Sequence, residues 1–275
     1  MRKKATDAVP RRRGTAAPKR PLTILACNDD GIDAPGLYAL VQELKKIGDV
    51  TVVAPDKQQS AVGHAITMHY PLRVKEFRKG GKFFGYAVQG TPADCVKLAV
   101  KALLKRRPDL VVSGVNHGAN TAISIIYSGT VSAATEGTIL GIPSIAVSLT
   151  TYAPADFRVA ARFARRLSEV VMKKSLPGGV LLNVNVPHLP EKEIRGVIVT
   201  RQGKAVWNDT FDLRRDPNNR EYYWLTGGLE EIDRELEFDQ AAVRNHYISV
   251  TPIHYDLTDY TMREAMKRWG IEKLK

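Results

Sequence analysis

Cysteine is scarce: Cys27 and Cys95 are the only two in 275 residues, and neither sits in a Cys-x-x-Cys pair or beside a histidine cluster. That excludes a disulfide framework and a zinc ribbon, and it reads as two buried packing thiols in a reducing compartment. Long apolar runs are missing too, so no segment approaches the roughly 18 residues of a membrane-spanning helix. The basic N-terminal stretch has no apolar segment of secretory type, so the expectation is a cytoplasmic protein with no membrane partner. No Gly-x-Gly-x-x-Gly follows the first apolar run, against a dinucleotide-binding dehydrogenase, and no serine stands in a Gly-x-Ser-x-Gly elbow, against that class of serine hydrolase. Acidic residues are outnumbered 29 to 41, for a net charge of +12. Eight basic residues against Asp7 put +7 of this in the first twenty positions, a stretch without apolar periodicity that reads as a disordered tail. Nucleic-acid binding through that tail is the sharper alternative; a solubilising role is the plainer one.

What is present centres on Leu22–Leu37. Leu22 to Cys27 reads as a short buried strand that stops at Asn28-Asp29-Asp30-Gly31, and Pro35-Gly36 opens a helix with Leu37, Leu40, Val41 and Leu44 on one face. Ligands of open α/β sheets lie at the carboxyl ends of the strands, where this turn falls. Adjacent carboxylates in such a place repel each other and are poorly solvated, a conflict that a hard cation relieves. Asn, Asp and Gly are also turn formers whatever their chemistry, so the pair alone does not separate a turn from a site.

Later stretches bear on that choice. Val50–Pro55 reads as a second, parallel strand, Lys79-Gly-Gly-Lys82 as a hairpin turn, and Thr91-Pro-Ala-Asp94 as a capped helix start. Strands are expected at Pro108–Gly114, Ser144–Leu149 and Val180–Val186, with helices at Val131–Leu140 and Ala153–Met172, the latter with an Arg-rich outer face. This order gives a doubly wound, Rossmann-like α/β/α core with a mostly parallel sheet over residues 21–190. Residues 191–275 read as an extension in which Arg195–Phe211 and Arg220–Thr226 form exposed hairpins bearing Trp207, Tyr222, Tyr223 and Trp224. Aromatics on protruding strands indicate a covering surface, here a subunit contact. A strand at Tyr247–Thr251 and a helix at Thr261–Trp269 close the chain.

In such a sheet three loops converge: Asn28–Gly31, Gln59–Gly63 and Ser113–Asn120. They supply two carboxylates, the Ser60 hydroxyl and the Asn116 carboxamide, hard donors that suit a divalent ion keeping several waters rather than zinc. Tyr127-Ser-Gly-Thr130 offers hydroxyls and N–H groups at a helix N-terminus, a seat for an anion. A metal beside a phosphate-sized pocket is the arrangement of metal-assisted phosphoester hydrolysis. The carboxylates are adjacent, not two residues apart, so their side chains start in opposite directions. That favours attack by water over a phospho-aspartate of the haloacid-dehalogenase kind. His64 and His69 are equally readable as proton carriers and as locally bonded loop residues; His188, His246 and His254 fall at strand ends and read as structural.

Five ordered motifs carry a resemblance. Asn28-Asp-Asp-Gly31, Val53-Ala-Pro-Asp56 with Ser60-Ala-Val-Gly63, Gly90-Thr-Pro-Ala-Asp-Cys95, Val112-Ser-Gly-Val-Asn-His-Gly-Ala-Asn120 and Tyr127-Ser-Gly-Thr-Val131 resemble the SurE family of stationary-phase survival proteins. The similarity runs from about Leu22 to the C-terminus. It implies a nucleotidase acting on nucleoside 5′- and 3′-monophosphates, in some members also on short polyphosphate. It further implies one manganese or magnesium ion per subunit on Asp29, Asp30, Ser60 and Asn116. Asn28, Asn120, Ser128, Gly129 and Thr130 would form the phosphate pocket, with Asp29, Asp30, Asn116 and Ser128 as the catalytic set. The C-terminal extension would be exchanged between subunits of a homodimer or homotetramer. His117 falls where the family varies and receives no role.

Overall fold

A computed structural model of the protein describes residues 20–230 and 232–274; the basic tail read from the first twenty positions lies, but for Arg20, outside them. The first apolar run is strand β1 (Leu22–Cys27), followed by helix α1 (Pro35–Leu44) and strand β2 (Gly48–Pro55). The hairpin of β3 (Val74–Lys79) and β4 (Lys82–Val88) turns at Gly80 and Gly81, both with positive φ, as a two-residue Gly-Gly turn requires. Helix α2 (Pro92–Leu98) opens with the expected Thr91 cap, and the structure adds a full capping box: the Thr91 hydroxyl accepts from the Asp94 N–H at 3.1 Å while the Asp94 carboxylate accepts from the Thr91 N–H at 2.9 Å.

Strand β5 (Leu110–His117) leads through the short helix α3 (Ser124–Tyr127) into α4 (Gly129–Ile139). Strand β6 (Ser144–Thr150), helix α5 (Arg158–Lys174) and strand β7 (Val180–Pro187) follow. Strands β8 (Gly196–Val199), β9 (Val206–Arg215) and β10 (Glu221–Glu230), helix α6 (Asp239–Arg244), strand β11 (Tyr247–His254) and helix α7 (Tyr260–Met266) come next, and a 3-10 turn at Ile271–Lys273 follows.

Among the described residues nine strands form one sheet in the order β3-β4-β2-β1-β5-β6-β7-β11-β8, parallel from β4 through β7, with β11 antiparallel to β7. Side-chain alternation divides the core between the two faces. Ile24 and Ala26 of β1 meet Leu37, Leu40 and Val41 of α1 and Ala160, Ala161 and Ala164 of α5. Leu25 and Cys27 meet Cys95, Val96 and Ala99 on the α2 side and Ala133 of α4. The Arg-rich face of α5 is indeed outward, with Arg162 and Arg165 paired to Glu191 and Glu43.

The extension differs from the expected hairpins in one respect. Residues 196–199 pair in parallel with β11 and edge the main sheet, so the protruding ribbon is β9 with β10 alone. Their pairing partner lies some fifty residues downstream, and such a non-local choice leaves no local signal. Trp207, Phe211, Tyr223 and Trp224 on the ribbon are exposed, as expected.

Candidate active site

The parallel order places the carboxyl ends of β1 and β5 side by side, so the turn after β1 lies against the loop after β5. Asn28 is fully buried; its amide donates to the Gly31 carbonyl at 3.0 Å and holds the turn, while its Oδ1 is buried without a partner. The two aspartates leave the turn in different directions. Asp29, nearly buried, points to the start of α4 and accepts from the Thr130 hydroxyl. Asp30 points to β5 and accepts from the His117 N–H at 3.1 Å. Burial pushes the Asp29 carboxyl up to about 6; the Thr130 hydroxyl opposes this, and the Asp30 charge adds to it. Burial also raises Asp30, against the pull of the His117 N–H.

The other expected ligands flank this pair. Asn116 is buried near the end of β5, its side-chain amide donating to the Gly118 carbonyl at 2.8 Å. The loop after β2 is tied to the turn by the Gln59 N–H, which donates to the Asp29 carbonyl at 2.7 Å. Ser60 comes next in the chain, exposed, its hydroxyl accepting from Gln58 at 2.8 Å. These residues fit a divalent ion: two desolvated carboxylates that form no salt bridge among the described residues, neutral oxygen ligands on the adjoining loops, and a buried Asn28 carbonyl without a hydrogen-bond partner. No three His, Cys, Asp or Glu side chains converge among the described residues, so the ion would retain waters.

The helix start read as an anion seat has two tasks. Ser128 caps α4, accepting from the Val131 N–H at 3.1 Å. Thr130 directs its hydroxyl to Asp29 and not outward. Gly129 is dictated by that contact: a Cβ there would sit 2.7 Å from Asp29 Cβ and 3.0 Å from its Oδ2. Asn120 lies in the loop between β5 and α3, where its carbonyl accepts from Asn183 and Asn185 at 2.8 and 3.0 Å and its amide donates to Ser148 at 2.8 Å.

Sequence reading missed three supports. Asn183 and Asn185 share one face of an otherwise apolar strand, which was the available signal for buried polar anchors. Asp239 of α6, fully buried, accepts from the Ala122 and Gly203 N–H groups, both at 3.0 Å, and ties the extension to the loop carrying Asn120. Glu136, a lone charge in the small-residue helix α4, is buried against His64 at 3.0 Å and Lys97 at 2.7 Å. Burial pushes its carboxyl up, but the hydrogen bonds from His64 and Lys97 and the Lys97 charge outweigh that and hold it below its ordinary range. His64 is therefore a locally bonded loop residue, and through it Glu136 steadies the loop bearing Ser60. Glu136→Gln should lower stability by about 1–2 kcal/mol, read as a lower melting temperature at pH 7 that converges with wild type as Glu136 protonates on acidification.

Comparison with known proteins gives one consistent result. A family model described as "Survival protein SurE" matches residues 24–209. The "5′-nucleotidase SurE" of Chlorobaculum tepidum is 48% identical over 94% of this chain and 98% of its own. That of Syntrophobacter fumaroxidans is 52% identical over 91% of this chain and 100% of its own. The crystal structure of the SurE protein from Aquifex aeolicus superposes with a TM-score of 0.78 at 42% identity, covering 90% of this chain and 99% of that one.

Proposed function

The chain belongs to the SurE family and is a 5′-nucleotidase, and from that premise we propose that Asp29, Asp30, Ser60 and Asn116 hold one divalent ion, manganese or magnesium, beside a phosphate pocket of Asn120, Ser128, Gly129 and Thr130. The observation that carries the reading is the meeting of two desolvated carboxylates with the capped start of α4 and the Asn116 end of β5. When bound, a divalent ion supplies charge neutralisation at the phosphoryl oxygens and lowers the pKa of water.

The chain's own residues do the rest. Asn28 fixes the turn from which the two carboxylates depart, one toward α4 and the other toward β5. Thr130 orients Asp29 through its hydroxyl, and the His117 N–H orients Asp30. The Gly129 N–H at the positive end of α4 and the Asn120 loop receive the phosphate, whose charge the helix start favours. Asp29 is buried and already hydrogen-bonded, a poor nucleophile, so water takes the attacking role and nucleoside and phosphate are the products.

The 3′-monophosphates and short polyphosphates extend the substrate class. The exposed aromatic ribbon of β9 and β10, with the closing helix, forms the contact of a homodimer or homotetramer, and residues 191–275 act as this arm on a 21–190 core. No helix among the described residues is long and apolar enough to cross a membrane; the cytoplasm is the proposed place of action.

The test is phosphate release from metal-stripped protein supplied with nucleoside monophosphates or an aryl phosphate, with manganese, magnesium or no metal added. Metal-dependent release favouring nucleotides is expected. Equal release without metal would remove the ion from the scheme, and a covalent phosphoenzyme trapped during turnover would overturn water as the nucleophile.

A further inference from the structure

Beyond the phosphate pocket, an open cavity of about 530 Å³ lies over the carboxyl ends of β6 and β7, walled by α6 and the root of β9. We propose that it receives the nucleobase of the substrate, a step that rests on the nucleotidase reading. Its position suits the task. Ala119 and Thr121 line it, so the residues on either side of Asn120 form one wall, and the phosphate loop and the cavity share a single segment. Asp29 and Asp30 follow β1, whereas Thr150 ends β6 and Thr151 follows it, two strands along the sheet. That is a lateral step of about 10 Å, the reach of a nucleotide from phosphate to base.

Its lining suits a base as well. Tyr152, His188, Trp207 and His246 present flat rings, while Thr121 and Thr151 add hydroxyls that match ring nitrogens and exocyclic groups. Among the described residues no carboxylate lines it, so it does not repeat the cation chemistry of Asp29 and Asp30. Two of the rings are placed deliberately. Gly118, at φ +120, leaves room for Tyr152, whose ring carbon a Cβ would meet at 2.5 Å. Trp207 is anchored by its indole N–H, which donates to the Ser124 hydroxyl at 3.2 Å. His188 and His246, read from sequence as structural, thereby face a ligand.

The experiment compares adenosine 5′-monophosphate with ribose 5-phosphate, which lacks the base, in wild type, Tyr152→Ala and Trp207→Phe. Tyr152 is 78% exposed, so its truncation leaves the core intact. A stacked base is worth about tenfold in affinity. Tyr152→Ala should therefore raise KM for the nucleotide about tenfold with kcat nearly unchanged, leave ribose 5-phosphate turnover untouched, and weaken calorimetric adenosine binding by a similar factor. Trp207→Phe, which keeps a ring, should lose less than threefold. Equal losses on both substrates, or none on either, would overturn the base site while leaving the nucleotidase intact. Wild-type turnover of neither phosphate ester would instead overturn the nucleotidase reading beneath it.

Discussion

Asp29→Asn should abolish metal-dependent turnover and, in the same preparation, raise the melting temperature of the metal-free protein at pH 7.5. The first half follows from the ligand role, since a neutral carboxamide in place of a directly ligating carboxylate weakens the ion and costs at least about 100-fold in kcat/KM. The second half follows from burial. The Asp29 carboxyl stands at about 6 in the folded chain against an ordinary 3.8. Between those values the folded state holds the proton that the unfolded state has lost, so stability falls as pH rises through this window. The full penalty, up to about 3 kcal/mol, is reached near neutrality. Asn carries no such charge and keeps an oxygen to accept from Thr130.

For a domain of this size that penalty corresponds to about 5–10 °C. The gain should shrink toward zero at pH 4, where wild type is protonated as well. Saturating manganese should reverse the order, because the ion stabilises wild type by mass action and the variant hardly at all. Thermal melts at pH 4 and 7.5, with and without metal, check all four corners. A variant less stable than metal-free wild type at pH 7.5 would show that the carboxylate is satisfied without an ion.

The legible part of this molecule was the part encoded locally. The apolar run of β1 ended where its polar turn began, Thr91 capped the helix it was read to open, and the buried small-residue helix began at the Ser128 cap. The opposite departure of adjacent side chains along an extended turn was likewise visible in Asp29 and Asp30, which reach α4 and β5 respectively. What escaped was set by distant partners. Gly196–Val199 joins the sheet only because β11 arrives later, and Asp239 matters only because the backbone of Ala122 and Gly203 stands before it. The Thr130 hydroxyl, readable as a phosphate donor, is turned inward by a carboxylate a hundred positions earlier in the chain.

That inward turn makes Gly129→Ala the second variant with a large expected effect. On propensity alone the change is favourable, since Ala outranks Gly in a helix by up to about 1 kcal/mol. Here the added carbon would stand 2.7 Å from Asp29 Cβ and 3.1 Å from Pro92 Cγ. Neither atom is the tip of a flexible side chain: one is fixed to the end of β1 and the other to the ring that opens α2. Either the start of α4 retreats or Asp29 rotates out of its contact with Thr130, and both displace a ligand relative to the phosphate seat. Overpacking of this kind costs about 1–3 kcal/mol of stability, which a core of two packed helix layers tolerates. A displacement approaching 1 Å at the reacting centre costs about 100-fold in turnover. The variant should thus fold, melt somewhat lower, and lose kcat far more than its stability loss accounts for. Its manganese requirement should move to higher concentration if Asp29 is what gives way, and stay put if the helix start retreats. Full kcat in folded Gly129→Ala protein would mean that the contact between α4 and Asp29 is packing alone.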